Sequence, residues 1–218
     1  MDNMKIVEEI LLTGKLTVIG IDLTGSEKKA SGWASLKDGF AETKRVFSDS
    51  ELIAQTTRIN PALISIDFPL SLPIGRLTVY DDDPGRKQFG ITRLCERLLS
   101  KRGIRSYPTL IRSMQKLTLR GMLLAQEFRS LGFTVIECFP GGTQDILGLP
   151  RKHKSLPDLV QGLANIGIKG KFTDIGVSHD EIDALTAALA GCFYLAGRYE
   201  AVGDELEGQI ILPLLQLG

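Results

Sequence analysis

Apolar positions in this chain fall into short unbroken runs and longer amphipathic ones, and the difference divides it into strands and helices. Residues 15–23, KLTVIGIDL, form a β-branched apolar run closed by Thr24-Gly25-Ser26, the signature of a buried strand. SGWASLKDG and FAETKRVFS predict two further strands joined at Asp38-Gly39, a dipeptide that tolerates the positive φ of a tight hairpin turn. The chain thus opens on an antiparallel meander, preceded by a short helix over MKIVEEILL that Gly14 ends. SDSELIAQTTRIN predicts a helix capped by Ser48 or Ser50 and stopped at Asn60-Pro61. ALISIDFPL is apolar almost without interruption, as in strands covered by helices on both faces. Two helices follow, around residues 92–103 and 112–132, with Tyr107-Pro108 breaking between them. A strand over FTVIECFPGG then ends on Glu137 and a Pro-Gly-Gly turn. The remainder predicts a helix over 155–167 capped by Ser155, a long helix from about Ser178 to Tyr199, and the apolar stretch QIILPLL. The expected class is α/β, a helix-flanked sheet in a single domain over residues 1–218.

Three of these strands finish on or beside a carboxylate: Asp22, Asp67 and Glu137. In an open α/β sheet, ligands bind at the carboxyl ends of the strands, so acids placed there meet in one crevice. Taken singly, each is explained by accepting a turn N–H. The last long helix supplies two more. Ser178 and Glu181 have the spacing of a capping box, which accounts for Glu181, and Asp180 in the first turn suits the helix dipole. Asp183 is followed by residues 184–194, apolar nearly all round, so its carboxylate stands at the mouth of a buried helix. There its desolvation is costly without a cation or donors. Asp180 and Asp183, three apart, share a helix face.

Carboxylates packed together repel unless a cation joins them, and an all-oxygen donor set suits Mg²⁺ or Mn²⁺. Two such ions about 3.5–4 Å apart activate a water and stabilise the leaving oxygen of a phosphodiester. The expected catalytic residues are Asp22, Asp67, Asp180 and Asp183, and the expected metal ligands are these four with Glu137.

Composition removes several classes. A 43% hydrophobic and 24% charged chain is neither disordered nor fibrous. No apolar run spans a bilayer, and the acidic start MDNMKIVEEILLTG lacks the basic segment of a secretory leader, so a cytoplasmic protein without a membrane partner is expected. Cys95, Cys138 and Cys192 are too scattered for a disulfide framework or a zinc knuckle and are expected as reduced thiols. The net charge of zero hides an asymmetry: from Arg76 to Arg129 twelve bases face five acids, a net +7, and the rest carries −7. A helical basic insertion over about 74–132, between the fourth and fifth strands, is expected to hold a nucleic-acid backbone, with Arg93, Arg97, Arg112 and Arg120 as phosphate contacts. The competing explanation is a set of solvated helix faces. His179 is expected exposed, Trp33 in the core, and Asp81-Asp82-Asp83 in a solvated turn.

VIGIDLTGS, a hairpin, ISIDFPL and HDEIDALTAALAG together resemble the ribonuclease H-like fold, and in particular the RuvC-type resolvases, whose opening strand carries Gly-Ile-Asp and whose final helix starts Asp-x-x-Asp-Ala-Leu. SIDFPLSLP, RLCERLLSKRGI, LTLRGMLLAQEFRSLGFTVIECFPGG and DEIDAL are similar to a domain-of-unknown-function family of predicted nucleases of that fold. The resemblance covers about residues 17–195. It implies a five-stranded mixed sheet, its first three strands antiparallel, with helices on both sides. It also implies Asp22 as the first-strand metal ligand, Asp67 as the fourth-strand ligand and Asp180 with Asp183 as the helical pair, in a two-metal nuclease acting on DNA or RNA. The resolvase pattern has a glutamate where this chain has the shorter Asp67, and Glu137 is available to share or take that role. Two alternatives remain. One is a catalytically inactive ribonuclease H-like module that binds nucleic acid or protein. The other is an actin-like phosphotransferase, because GIDLTGS also resembles the first phosphate loop of those enzymes, although their second domain and loop do not fit in 218 residues.

Overall fold

The computed structural model describes residues 3–13, 16–174 and 176–215. The opening meander forms as its pattern requires. After α1 (Asn3–Thr13), β1 (Val18–Asp22), β2 (Ser31–Lys37) and β3 (Phe40–Val46) pair antiparallel, with Asp38 at φ 49° and Gly39 at φ 75° making the turn. Gly14, the expected end of α1, lies outside the described residues. The Ser48 hydroxyl accepts from the Glu51 N–H to cap α2 (Asp49–Ile59), which ends at left-handed Asn60. β4 (Leu63–Ile66) lies parallel beside β1, and β5 (Val135–Cys138) parallel beside β4. Between them run α3 (Arg86–Phe89), α4 (Leu94–Lys101) and α5 (Arg112–Ser130), so the helical insertion forms where the pattern placed it. Beyond β5 come α6 (Pro140–Leu147), α7 (Leu156–Asn165), β6 (Lys169–Gly170), α8 (His179–Leu195), β7 (Tyr199–Asp204) and β8 (Gly208–Pro213).

All of these strands form one mixed sheet in the order β6-β3-β2-β1-β4-β5-β8-β7, so the expected count of five is corrected to eight among the described residues. The stretch QIILPLL is not a loose tail. It supplies most of β8, which pairs parallel with β5 and antiparallel with β7. The Pro-Gly-Gly expected as a turn instead begins α6, because proline in a first helical turn loses no hydrogen bond.

Alternation along the strands decides which face each side chain takes. Ile19 and Ile21 of β1 pack with Ile64, Ile66, Val135, Leu124 and Phe128 on the α5 side, around Trp33. Trp33 is fully buried, and its indole N–H donates to Thr56 Oγ1 at 3.1 Å. Val18 and Leu63 pack with Ala184, Leu185 and Ala188 on the α8 side. Helix α8 lies against β1 and β2 so closely that a Cβ at Gly20 would fall 1.9 Å from the Ala184 carbonyl oxygen, and one at Gly32 2.0 Å from that of Asp180. Backbone cannot yield as a side chain does. Gly20→Ala is therefore expected to cost about 3 kcal/mol or more, the upper end for overpacking, and to lower the urea midpoint or abolish soluble expression. A midpoint within experimental error of the parent would show that α8 can move away.

Among the described residues no helix is long and apolar enough to cross a membrane. All three cysteines are free, as expected.

Candidate metal centre

β1 ends on Asp22 and directs it to the α8 side by the same alternation that places Val18 there. One residue past β4, the Asp67 N–H donates to the Ile21 carbonyl at 2.9 Å, which extends the β1–β4 pairing and sets Asp67 beside Asp22. Helix α8 brings the third acid. Its capping box is formed: Ser178 Oγ accepts from the Glu181 N–H at 3.2 Å, and Glu181 Oε2 accepts from the Ser178 N–H at 3.0 Å. Glu181 is thus occupied at the helix start, and Asp183, buried, faces the strand ends. Asp22, Asp67 and Asp183 each offer one carboxylate oxygen, and the three oxygens lie within 4.8 Å of one another. Asp180 stands at the rim, outside this group, with a side chain 40% exposed. His179 is exposed, as expected.

A residue that the sequence reading missed enters this cluster. Lys152, in the turn between α6 and α7, places its Nζ 2.5 Å from Asp183 Oδ2, 3.4 Å from Asp22 Oδ2 and 3.8 Å from Asp180 Oδ1. Burial works against its charge, but the Asp22 and Asp183 carboxylates outweigh it and hold the ammonium protonated above its ordinary value. Gln144 of α6 donates from Nε2 to Asp183 Oδ1 at 3.0 Å, so both oxygens of Asp183 are engaged. Burial, reinforced by the charge of Asp67, pushes the Asp22 carboxyl well above its usual value, with Lys152 offsetting part of the rise. Burial and the charge of Asp183 do the same to Asp67. The only sequence signal for Lys152 is the basic run Arg151-Lys152-His153-Lys154 between two helices.

Glu137 is not part of this centre. In β5 it pairs with Ile66, and Ile66 faces α5, so Glu137 points to the opposite side of the sheet from Asp67. There both of its oxygens meet the Arg93 guanidinium, Oε2 from Nη1 at 2.8 Å and Oε1 from Nη2, and Oε2 also accepts the Leu70 N–H at 2.8 Å. At this end of β5 the residue facing α8 is Cys138, packed against Ala187 and Ala190.

Arg93 is correspondingly unavailable to a phosphate. It is buried and also donates to Glu96 Oε1 at 3.0 Å, Thr109 Oγ1 at 2.8 Å and Ser71 Oγ at 2.8 Å. Arg120 joins α5 to Asp49 at 2.7 Å and to the Thr24 carbonyl at 2.6 Å. Arg97 is bound to Glu207 at 3.5 Å, and the exposed Arg112 to Asp81 at 2.9 Å. Seven of the twelve bases between Arg76 and Arg129 have an acidic partner, and the partners Glu137, Glu207, Glu200 and Asp49 lie outside that segment. Most of the charge asymmetry is therefore the two halves of internal ion pairs. Even the acidic turn is partly internal, since Asp83 is buried against Arg76 at 3.2 Å rather than solvated.

The three acids line a cleft of about 590 Å³. No family model and no curated protein matches this sequence. The cleft wall also carries Arg105, Tyr107, Phe139, Arg151 and His153 and, engaged with each other, Arg93 and Glu137, whereas Arg97, Arg112 and Arg120 are not part of its lining. Arg151 is tied to Asp145 through Nε at 3.0 Å and lies over the Phe139 ring, its guanidinium carbon 5.5 Å from the centroid. Tyr107 lines the cleft and is 74% exposed.

Proposed function

We propose that this protein is a metal-dependent nuclease of ribonuclease H-like fold that hydrolyses phosphodiester bonds of DNA or RNA. The observation that carries the reading is the convergence of Asp22, Asp67 and Asp183, from two adjacent strand ends and the start of one helix, to within 4.8 Å. The sheet supports it in part: it is mixed, and its first three strands, β1, β2 and β3, pair antiparallel, two features that the resemblance implies. The donor set fits the ion such an enzyme needs, since three carboxylates and no sulfur or imidazole suit Mg²⁺ or Mn²⁺. Asp22, Asp67 and Asp183 would hold it, with Asp180 at the rim. Bound there, the ion would activate a water and stabilise the leaving oxygen.

The chain's own side chains do the rest. Gln144 holds one oxygen of Asp183 and so fixes how the other is presented. Lys152 compensates acids whose repulsion would otherwise splay them apart. Arg105 at the cleft wall attracts the backbone phosphates, and Tyr107 offers a ring on which a base stacks.

Lys152 also favours a second reading. With an ammonium among them, the acids do not require a metal to coexist, which a binding module without turnover would exploit. One assay separates the two: labelled single-stranded, duplex and branched DNA and RNA with Mg²⁺ or Mn²⁺, beside Asp22→Asn and Asp183→Asn. Metal-dependent cleavage that falls more than about 100-fold in both variants is expected, because even indirect partners of a catalytic metal cost 10–100-fold when removed. Binding without cleavage, unchanged by either substitution, would establish the binding module. Nucleotide-dependent phosphoryl transfer to a small acceptor would establish the phosphotransferase instead.

A further inference from the structure

We propose that Lys152 is a resident cation of this centre, occupying one of the two cation positions of a two-metal site, so that each chain takes up a single divalent ion. This deepens the nuclease reading above and rests on it. Oxygen by oxygen, Lys152 faces Oδ2 of Asp22, Oδ2 of Asp183 and Oδ1 of Asp180, and Gln144 faces Oδ1 of Asp183. The two oxygens of Asp183 are thereby committed to the chain's own donors. Asp22 Oδ1 and the carboxylate of Asp67 are left, and Asp67 is the one member of the triad with neither a salt bridge to Lys152 nor a hydrogen bond from Gln144. In a two-metal site the ions stand about 3.5–4 Å apart and share carboxylates between them. Here the position between Asp22 and the helical acids already holds a positive nitrogen, and the position between Asp22 and Asp67 does not.

Lys152 is also held there rather than passing through. Its side chain is only 19% exposed. The turn that carries it is closed by Lys154 N–H to the Arg151 carbonyl at 2.9 Å, and Arg151 is itself anchored to Asp145 and, through Nη1, to the Arg105 carbonyl at 3.2 Å. A freely hydrated surface lysine would lose rotamer entropy on taking up this position, but a lysine on a pinned, partly buried turn has little left to lose.

The test is Mn²⁺ stoichiometry in solution, by calorimetric titration and by the electron paramagnetic resonance signal of free Mn²⁺, on the parent protein, Lys152→Ala and Lys152→Gln. One ion per chain in the parent and two in the neutral variants is expected, with the ion common to both bound at least about tenfold more tightly once the competing charge is gone. Two ions in the parent, or one ion in folded Lys152→Ala and Lys152→Gln, would overturn the proposal and leave the nuclease reading standing. No Mn²⁺ uptake by the parent or either variant would overturn both. If Lys152→Ala does not fold, the parent stoichiometry and the polar, uncharged Lys152→Gln still decide between these outcomes.

Discussion

Arg93→Ala is expected to destabilise the protein by about 3–5 kcal/mol, the usual cost of removing one partner from a buried ion pair. In a domain of this size that is a fall of roughly 6–20 °C in melting temperature. The guanidinium is bonded to Glu137 through two nitrogens and to Glu96 through a third, with Thr109 and Ser71 completing its shell. Its loss strands two carboxylates that are 6% and 4% exposed. Arg93→Lys should rescue little, because an ammonium cannot reproduce two parallel N–H···O bonds to one carboxylate while reaching a second. Thermal and urea unfolding of the three proteins check this. A phosphate-binding arginine would behave differently, losing nucleic-acid affinity at nearly unchanged stability, and a loss below about 1 kcal/mol would show that this buried pair contributes no more than an exposed one.

Asp67→Asn is expected to act in the opposite direction and to make the metal-free protein more stable. Burial and the Asp183 charge raise the carboxyl of Asp67 in the folded state. A raised carboxyl contributes stability that is complete below its unfolded value, near pH 4, and is lost as pH rises through the folded value. At pH 7 the parent carries that loss and the amide does not. The expected gain, read with metal removed by a chelator, is a rise in melting temperature of roughly 2–4 °C, the equivalent of about 1 kcal/mol and an ordinary size for a single substitution. It should shrink toward zero as pH is lowered to about 4, where the parent's own Asp67 is protonated. Adding Mg²⁺ or Mn²⁺ at pH 7 should then raise the parent's melting temperature and leave the variant's nearly unchanged. An Asp67→Asn protein less stable than its parent at pH 7 in chelator would show that the Asp67 charge is compensated without an ion. Stability lost at a cluster of like charges and regained on ligation is the familiar cost of a functional site.

The strands and caps were legible in the sequence because their signals are local. Asp38-Gly39 can make a two-residue turn whatever surrounds it, and Ser178 with Glu181 can close a capping box within one helical turn. Asp22, Asp67 and Asp183 were legible as members of a cluster because each stands where an apolar run begins or ends. Glu137 was misplaced for a physical reason. A strand buried on both faces gives no polar alternation by which to tell its sides apart, and only the pairing of Ile66 with Glu137 reveals that this acid faces α5. Lys152 was not legible, because its position depends on how one turn folds back over another element 130 residues away in sequence. The basic segment misled by the same logic, since arginine partners such as Glu200 and Glu207 lie about a hundred residues downstream. The hairpin of β7 and β8 lacked an alternating pattern strong enough to separate it from a tail.

The position of β8 has a consequence for synthesis. β5 pairs on one side with β4, but its other neighbour is β8, which begins seventy residues after Cys138. At 5–20 residues per second, that edge of the nascent sheet stays open for roughly 4–14 s. During this interval the row of amides and carbonyls on β5 is an unpaired template. Glu207, which accepts the N–H groups of Ile74 and Leu94 and so ties the helical insertion to the β7–β8 turn, is also still missing. This tie of the insertion to the β7–β8 turn forms only when the hairpin arrives. Protease sensitivity or chaperone capture of ribosome-bound chains should be concentrated in the stretch between β4 and β5, and should end when the hairpin closes the sheet.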